Sequence, residues 1–325
     1  MVRTEARVGL VLGAGGVAGG AFHTGVLAAL HDATGWDPRH ATVIVGTSAG
    51  SISGAALRAG ISAGDALARA EDRPPSPEGA RLMQGVGSSA GLPPLVASRR
   101  SIDPAAALAT LARAAAKPFA ARPLAVLAGL VPDGAVSTDI ITEGISTLFS
   151  DRWPDDPLWI CAVRQADGRR VVFGRDDRRP PLAHVVAASC AIPGFFQPVT
   201  IDGEAYIDGG VHSPTNADVV RNLDPQLDLV LVSSPMSVTG RGVRIAVDQV
   251  ARRWAGSLLD GETRRLRRAG LSVVGFQPTP DDAKVMGINA MDPTRRAAIA
   301  RQAYESTLRR LERADTRVRL APLFS

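Results

Sequence analysis

Only two of the 325 residues are lysine, Lys117 and Lys284, and only two are cysteine, Cys161 and Cys190. Two cysteines without metal-ligand spacing build neither a disulfide framework nor a zinc site, and they fit a reducing, cytoplasmic compartment. Aromatic residues make up 4% of the chain, which argues against a base-stacking surface for single-stranded nucleic acid. No apolar run approaches the ~18 residues a membrane span needs. The longest, PLAVLAGLV at 123–131, is far too short. The opening MVRTEARVGLVLGAGG does not read as a signal peptide, because its short apolar stretch runs straight into a glycine loop. The expectation is a protein that is soluble or peripheral to a membrane. With lysine nearly absent, the net charge of +5 and the pI of about 10.0 are the work of arginine. We read that bias as genomic base composition rather than a nucleic-acid footprint, since no recognition motif accompanies it.

What is present is a core-forming α/β pattern. Hydrophobic residues are 45% of the chain. RVGLVL (7–12) reads as a strand ending in the loop GAGGVAGG (13–20). A helix follows in AFHTGVLAALHD, where Phe22, Val26, Leu27 and Leu30 fall at helical spacing. ATVIVG then reads as a buried strand and SISGAALRAG as a small-residue helix stopped by Gly60. This alternation predicts a mostly parallel sheet with helices on its faces. Residues 70–135 break the pattern with Pro, Gly and Ser. They read as an inserted cap or a surface excursion, with Ala-rich helices at 104–116 and 121–130. Strands are expected at 158–164, 169–174, 227–234 and 271–276. A helix broken at Pro193 is expected in PLAHVVAASCAIPGFF, and a hairpin turn at Asp202-Gly203. A basic helix across 242–269 and a last helix over about 293–313 complete the reading. The chain is taken as one unit, 1–325, with 236–325 packing on its core.

Two segments carry the G-x-S-x-G pattern: GTSAG around Ser48 and GSSAG around Ser89. In a chain with 33 glycines one such match is weak. Context separates them. A nucleophile elbow needs a strand entering and a helix leaving, so that the serine projects from a strained turn. Ser48 has TVIV before it and SISGAALRA after it. Ser89 is followed by Pro93 and Pro94, which disfavour a helix. Gly46 and Gly50 keep side chains out of the crowded turn at Ser48.

The loop at 13–20 offers bare backbone N–H groups, the donors that acyl transfer through serine requires for its oxyanion. A second reading of the loop stays open, because Gly13-x-Gly15-x-x-Ala18 also fits a dinucleotide-binding fingerprint. That reading wants an acidic residue at the end of the second strand, where the chain instead has Gly46-Thr47-Ser48. Asp32 and Asp37 precede that strand. The proton acceptor is equally unsettled from residues alone. Of the five histidines, His23, His31, His40 and His184 read as structural or solvated, and His212 is the best placed because it follows DGG. Asp208, with Gly209 and Gly210 beside it, is either a base within reach of a serine or a plain Asp-Gly turn.

Taken together, the glycine loop with HTGVLAAL (23–30), GTSAGS (46–51), ASCAIPGFF (188–196) and DGG (208–210) resemble the patatin-like phospholipases in kind and in order, over about 7–235. The resemblance implies a three-layer α/β/α fold and hydrolysis of fatty-acyl esters of lipids by a Ser–Asp dyad with neither metal nor cofactor. It makes Ser48 the nucleophile and Asp208 its general base. Gly15, Gly16 and Val17 become the oxyanion donors. One departure stands out: the family commonly has an arginine near the end of the loop, where this chain has Ala18-Gly19-Gly20. A catalytically inactive scaffold of the same fold that binds lipid or a partner is the third alternative, beside the nucleotide-binding oxidoreductase. The arginine-rich stretch 249–271, with Trp254, Leu258 and Leu259, reads either as a solvated helix face or as a surface for anionic membrane.

Overall fold

Val8–Leu12 (β1) is buried at every position, as an interior strand of a parallel sheet must be. Its alternate residues serve two different cores. Val8, Leu10 and Leu12 belong to one apolar cluster and Val11 to another. The same split recurs in β2 (Val43–Thr47), where Ile44 faces the first cluster and Val43 and Val45 the second. In β7 (Leu229–Ser233), Leu231 and Val232 divide likewise. A sheet that buries apolar side chains on both faces is the middle of three layers. The structure is a computed structural model that describes residues 6–84, 134–149, 152–176, 178–238 and 246–324. Ser89 and the expected helices at 104–116 and 121–130 lie outside these residues.

The remaining strands are β3 (Leu158–Arg164), β4 (Arg170–Phe173), β5 (Val199–Ile201), β6 (Glu204–Asp208) and β8 (Ser272–Phe276). The eight-stranded sheet runs β5-β6-β3-β2-β1-β7-β8, with β4 pairing β3 off this path. Pairing is parallel from β3 through β2, β1 and β7 to β8. It is antiparallel between β3 and β4, β3 and β6, and β5 and β6. The β5–β6 hairpin turns at Asp202 (φ 51°) and Gly203 (φ 78°), the two left-handed residues that a tight hairpin requires.

The helices of the first face include α1 (Gly16–Thr34), α2 (Ala49–Arg58) and α3 (Ala63–Ala70), followed by the short α4 (Pro77–Leu82) and α5 (Asp139–Phe149). Further on come α6 (Leu182–Ser189), α7 (Ala246–Arg268), α8 (Pro280–Met286), α9 (Arg296–Leu311) and α10 (Ala314–Arg319). Helix α1 packs closely on α9, and a Cβ at Gly25 would overlap the Ala300 carbonyl. Leu259 and Leu266 of α7 bury into the second core, while Arg253, Arg264, Arg267 and Arg268 are exposed. The basic run therefore covers the sheet with one face, and Leu259 belongs to the core rather than to a membrane-facing stripe.

Three boundaries differ from the sequence reading. Helix α1 begins at Gly16, so the irregular part of the glycine loop is only 13–15. Helix α6 stops at Ser189, well before Pro193, because the chain turns there and the Ala191 carbonyl accepts the Asp208 N–H. The last expected helix, over about 293–313, divides into a 3-10 turn at Pro293–Arg295 and α9, with Asp292 capping the turn through the Thr294 N–H, and α10 follows beyond it.

Candidate active site

Ser48 stands between the end of β2 and the start of α2, with φ 53° and ψ −122°. A non-glycine residue there is strained, and the surrounding contacts must hold it. They are specific. The Ser48 N–H donates to Ser189 Oγ at 2.9 Å, and Ser189 Oγ donates to the Cys161 carbonyl at 2.7 Å. The Ser48 carbonyl accepts from Ser51 Oγ at 2.6 Å and from the Ser51 N–H at 2.8 Å. At Gly50 any Cβ would overlap the Leu12 carbonyl, so only glycine lets α2 lean this closely on β1. Gly46, inside β2, packs against the Ser51 backbone.

Asp208 is the last residue of β6 and is 5% exposed, beside Ser48 at 3%. Its Oδ1 accepts the Gly210 N–H at 2.7 Å. Burial pushes the Asp208 carboxyl up to about 6, against the opposing pull of the Ser48 side chain and the Gly210 N–H. Gly209 passes directly over the Cys161 carbonyl, where a Cβ would collide. Serine and aspartate are thus brought together, with Gly46, Gly50, Gly209 and Gly210 packed around them.

Of the three loop residues, Gly16 and Val17 line the same cavity as Ser48, and Gly15 does not. No described residue accepts from the N–H groups of Gly15, Gly16 or Val17, whereas the Ala14 and Ala18 N–H groups are taken by the Pro214 and Ala290 carbonyls. The loop is pinned from beneath by His23. Its Nε2 lies 2.8 Å from the Gly13 carbonyl and its Nδ1 2.8 Å from Ser233 Oγ. Full burial lowers the His23 pKa to about 4, so the ring is neutral. It is a structural histidine, as its sequence setting suggested.

The cavity has a volume of about 340 Å³. Its walls come mostly from apolar residues of α1, α2, α3 and α5, including Leu27, Ile52, Leu57 and Ile145, joined by Phe196 from the segment between α6 and β5. Cys190 also faces it. Burial and the neighbouring Asp208 hold its thiol well above the usual range, so it is not a competing thiolate. Asp32 and Asp37, the carboxylates weighed for a nucleotide ribose, are engaged by Tyr304 Oη and Arg39. His212, the best-placed histidine by sequence, donates its backbone N–H to the Gly209 carbonyl. Among the described residues, no cluster of His, Cys, Asp and Glu suits a metal ion.

Three residues central to this arrangement escaped the sequence reading. Asn216 Nδ2 donates to Thr47 Oγ1 at 3.1 Å, the Gly209 carbonyl at 3.3 Å and the Ser213 carbonyl at 2.7 Å. It therefore ties the residue before Ser48 to the residue after Asp208. Glu262, buried on α7, accepts from Ser213 Oγ and Thr215 Oγ1, both at 2.6 Å, and from the Ala217 N–H at 2.9 Å. Ser189 is the third. Glu262 had a legible signal, since it shares the helical spacing of Leu259 and Leu266. Ser189 lay inside the ASCAIPGFF segment, whereas Asn216 had none.

The family model described as patatin-like phospholipase matches residues 10–221, a span that includes the glycine loop, Ser48 and Asp208. The crystal structure of VipD from Legionella pneumophila is similar at 15% sequence identity and a TM-score of 0.44, over 95% of this chain and 67% of that one. No curated protein matches the sequence.

Proposed function

The chain belongs to the patatin-like phospholipase family, and from that premise we propose that it hydrolyses fatty-acyl esters of lipids through Ser48 and Asp208. The observation that carries this reading is the meeting of a strained serine and a buried, up-shifted carboxylate at the wall of an apolar cavity. A carboxyl poised near 6 is basic enough to take a proton from serine and acidic enough to return it near neutral pH.

The reaction has two steps. Asp208 accepts the Ser48 hydroxyl proton as Ser48 Oγ attacks the ester carbonyl. Backbone N–H groups of Gly16 and Val17, with Gly15 behind them, donate to the oxyanion. The tetrahedral species collapses, and the leaving alcohol departs with the proton held by Asp208. Water, deprotonated by the same carboxylate, then attacks the acyl-serine; the acyl–Oγ bond breaks, Asp208 returns the proton to Ser48, and the fatty acid is released. The apolar walls take the acyl chain. A capping role for the 70–135 segment is supported by Met83 within it and Ile140 and Ile141 after it, which line the cavity. Among the described residues, no helix is long and apolar enough to cross a membrane. We propose that the protein meets lipid from the aqueous side.

The test is release of fatty acid from p-nitrophenyl and glycerolipid esters by wild type, Ser48→Ala and Asp208→Asn. Wild-type turnover with both variants at background supports the proposal. A Ser48→Ala protein with full activity refutes it, and a wild type that cleaves no ester favours a binding scaffold.

A further inference from the structure

A second cavity, of about 600 Å³, opens on the other face of the sheet from the one beside Ser48. Its apolar residues, Trp159, Val219 and Leu223, pack in the second core, whereas the walls near Ser48 belong to the first. Four arginines line it: Arg170 at the start of β4, Arg175 just past its end, Arg221, and Arg265 on α7. Arg170 is paired with Asp218 and Arg175 with Asp176. Arg221 and Arg265 form no ion pair with a described carboxylate. Arg221 Nε donates to Asn222 Oδ1 at 3.2 Å, and Arg265 acts on Asp218 only through its field. The one other carboxylate of the lining is Asp224, which is exposed.

Trp159 adds a second, independent observation. It is 7% exposed and lines the cavity, and its indole N–H has no hydrogen-bond partner among the described residues. A donor so deeply placed is normally satisfied. Guanidinium and indole groups donate and never accept, so the groups left over in this cavity call for an anion rich in acceptors. The cavity is also wired to the catalytic pair. Arg170 Nη1 donates to Asp218 Oδ1 at 2.7 Å and to Asn216 Oδ1 at 3.1 Å, and Nη2 donates to Asp218 Oδ2 at 3.2 Å. The other end of the Asn216 amide holds Thr47 and the Gly209 carbonyl, the neighbours of Ser48 and Asp208.

We propose that this cavity is a regulatory site for a small soluble diphosphate, held by Arg221, Arg265 and Trp159 and communicated to Ser48 and Asp208 through Arg170 and Asn216. Planar guanidiniums suit phosphate oxygens through bidentate, charge-assisted hydrogen bonds. A bound diphosphate draws the Arg170 guanidinium toward itself and repels the Asp218 carboxylate. The hydrogen bond from Arg170 to Asn216 weakens, and with it the brace across the catalytic pair. Occupancy therefore slows the chemical step rather than competing for the acyl chain, which lies on the other face of the sheet. The site stands apart from the hydrolase reading, and only its effect on turnover rests on that reading.

The experiment is isothermal titration calorimetry on the full chain at constant ionic strength. Inorganic pyrophosphate and a nucleoside diphosphate are the two probes, which separates a free anion from a phosphate ester. Saturable one-to-one binding is expected, and the tighter probe identifies the source. Arg221→Gln and Arg265→Gln should each weaken Kd about tenfold. Arg268→Gln, exposed on α7 and outside the cavity lining, should leave Kd unchanged. Ester hydrolysis by the same proteins is the second readout. The tighter probe should lower kcat about fivefold with KM little changed, and its half-effect concentration should follow Kd through the variants. Absence of binding, a Kd that neither Arg221→Gln nor Arg265→Gln moves, or an equal loss in Arg268→Gln overturns the site. Binding that leaves kcat unchanged, or that acts only on KM, overturns its regulatory role. A wild type that cleaves no ester and does not react with a fluorophosphonate overturns the hydrolase reading alone, and calorimetry still decides the site.

Discussion

Thr47 and Asp208 pair with consecutive residues of one strand: Thr47 lies opposite Cys161, and Asp208 opposite Ala162. Strand β4 pairs with both Cys161 and Ala162 along the other edge of β3. Strands β2 and β6 therefore abut end to end on a single edge. One runs parallel to β3 and the other antiparallel, so the C-terminal ends of both point at the same place. That is why Ser48, one residue past Thr47, meets Asp208 although 160 positions separate them in the sequence. Backbone register sets their spacing, and Asn216 bridges the junction from Thr47 to Gly209.

The carboxyl of Asp208, at about 6, sets the pH dependence. The ionised form is the base, so kcat/KM for an acyl ester should rise with pH through a midpoint near 6 and then level. Stability should move the other way. A carboxyl whose folded pKa is raised stabilises the fold fully below its unfolded value near 3.8, and this contribution disappears as pH rises through about 6. Asp208→Asn removes that loss. The variant should be inactive, and its stability relative to wild type should increase from pH 4 to pH 7 by about 1–3 kcal/mol. Urea unfolding at several pH values measures it.

Asn216→Ala should lower kcat about 10–100-fold with KM little changed, because the groups displaced are those that position the reacting pair rather than those that bind the chain. It should also move the midpoint of the pH–rate profile away from 6, a readout that loss of stability alone does not alter. Steady-state kinetics across pH on the folded fraction measures both.

Glycine substitutions separate contact from composition. Gly50→Ala drives a methyl into the Leu12 carbonyl, so α2 must shift away from β1. A destabilisation of about 3 kcal/mol or more, with loss of turnover, is expected. Gly20, inside α1, has nothing within 4 Å of an added Cβ. Gly20→Ala should raise stability by about 0.5–1 kcal/mol. Thermal melts of the two variants should therefore shift in opposite directions.

His23 binds its neutral form to the Gly13 carbonyl and Ser233 Oγ. With its pKa lowered to about 4 by burial, it contributes stability above the unfolded value of 6.5, lost as pH falls through 4. Wild type should lose about 3 kcal/mol over that window from this group, and His23→Leu should show a shallower acid dependence from a lower starting stability. Acid titration followed by circular dichroism compares the slopes.

Much of this was legible in the sequence, for physical reasons particular to each element. The alternation in β1 and β2 was masked by burial on both faces, yet continuous apolar runs bounded by glycine turns still marked them as strands. Ser48 was separable from Ser89 because strand-turn-helix context is local. Asp202-Gly203 announced its hairpin because the two left-handed residues are local as well. Asn216 was not legible, since its role exists only through contact with Thr47, 169 residues away. The register on β3 that joins Ser48 to Asp208 is also a product of pairing and leaves no mark at either residue. The early start of α1 at Gly16 was hidden because glycine disfavours a helix and the Ala290 carbonyl, far along the chain, accepts the Ala18 N–H.

The most direct test of the central claim is covalent labelling by a fluorophosphonate, with the modified peptide identified by mass spectrometry. One equivalent of label should fall on Ser48, disappear in Ser48→Ala, persist in Ser89→Ala, and form far more slowly in Asp208→Asn. Label on Ser89, or undiminished labelling and ester turnover in Ser48→Ala, would contradict the assignment of Ser48 as the nucleophile.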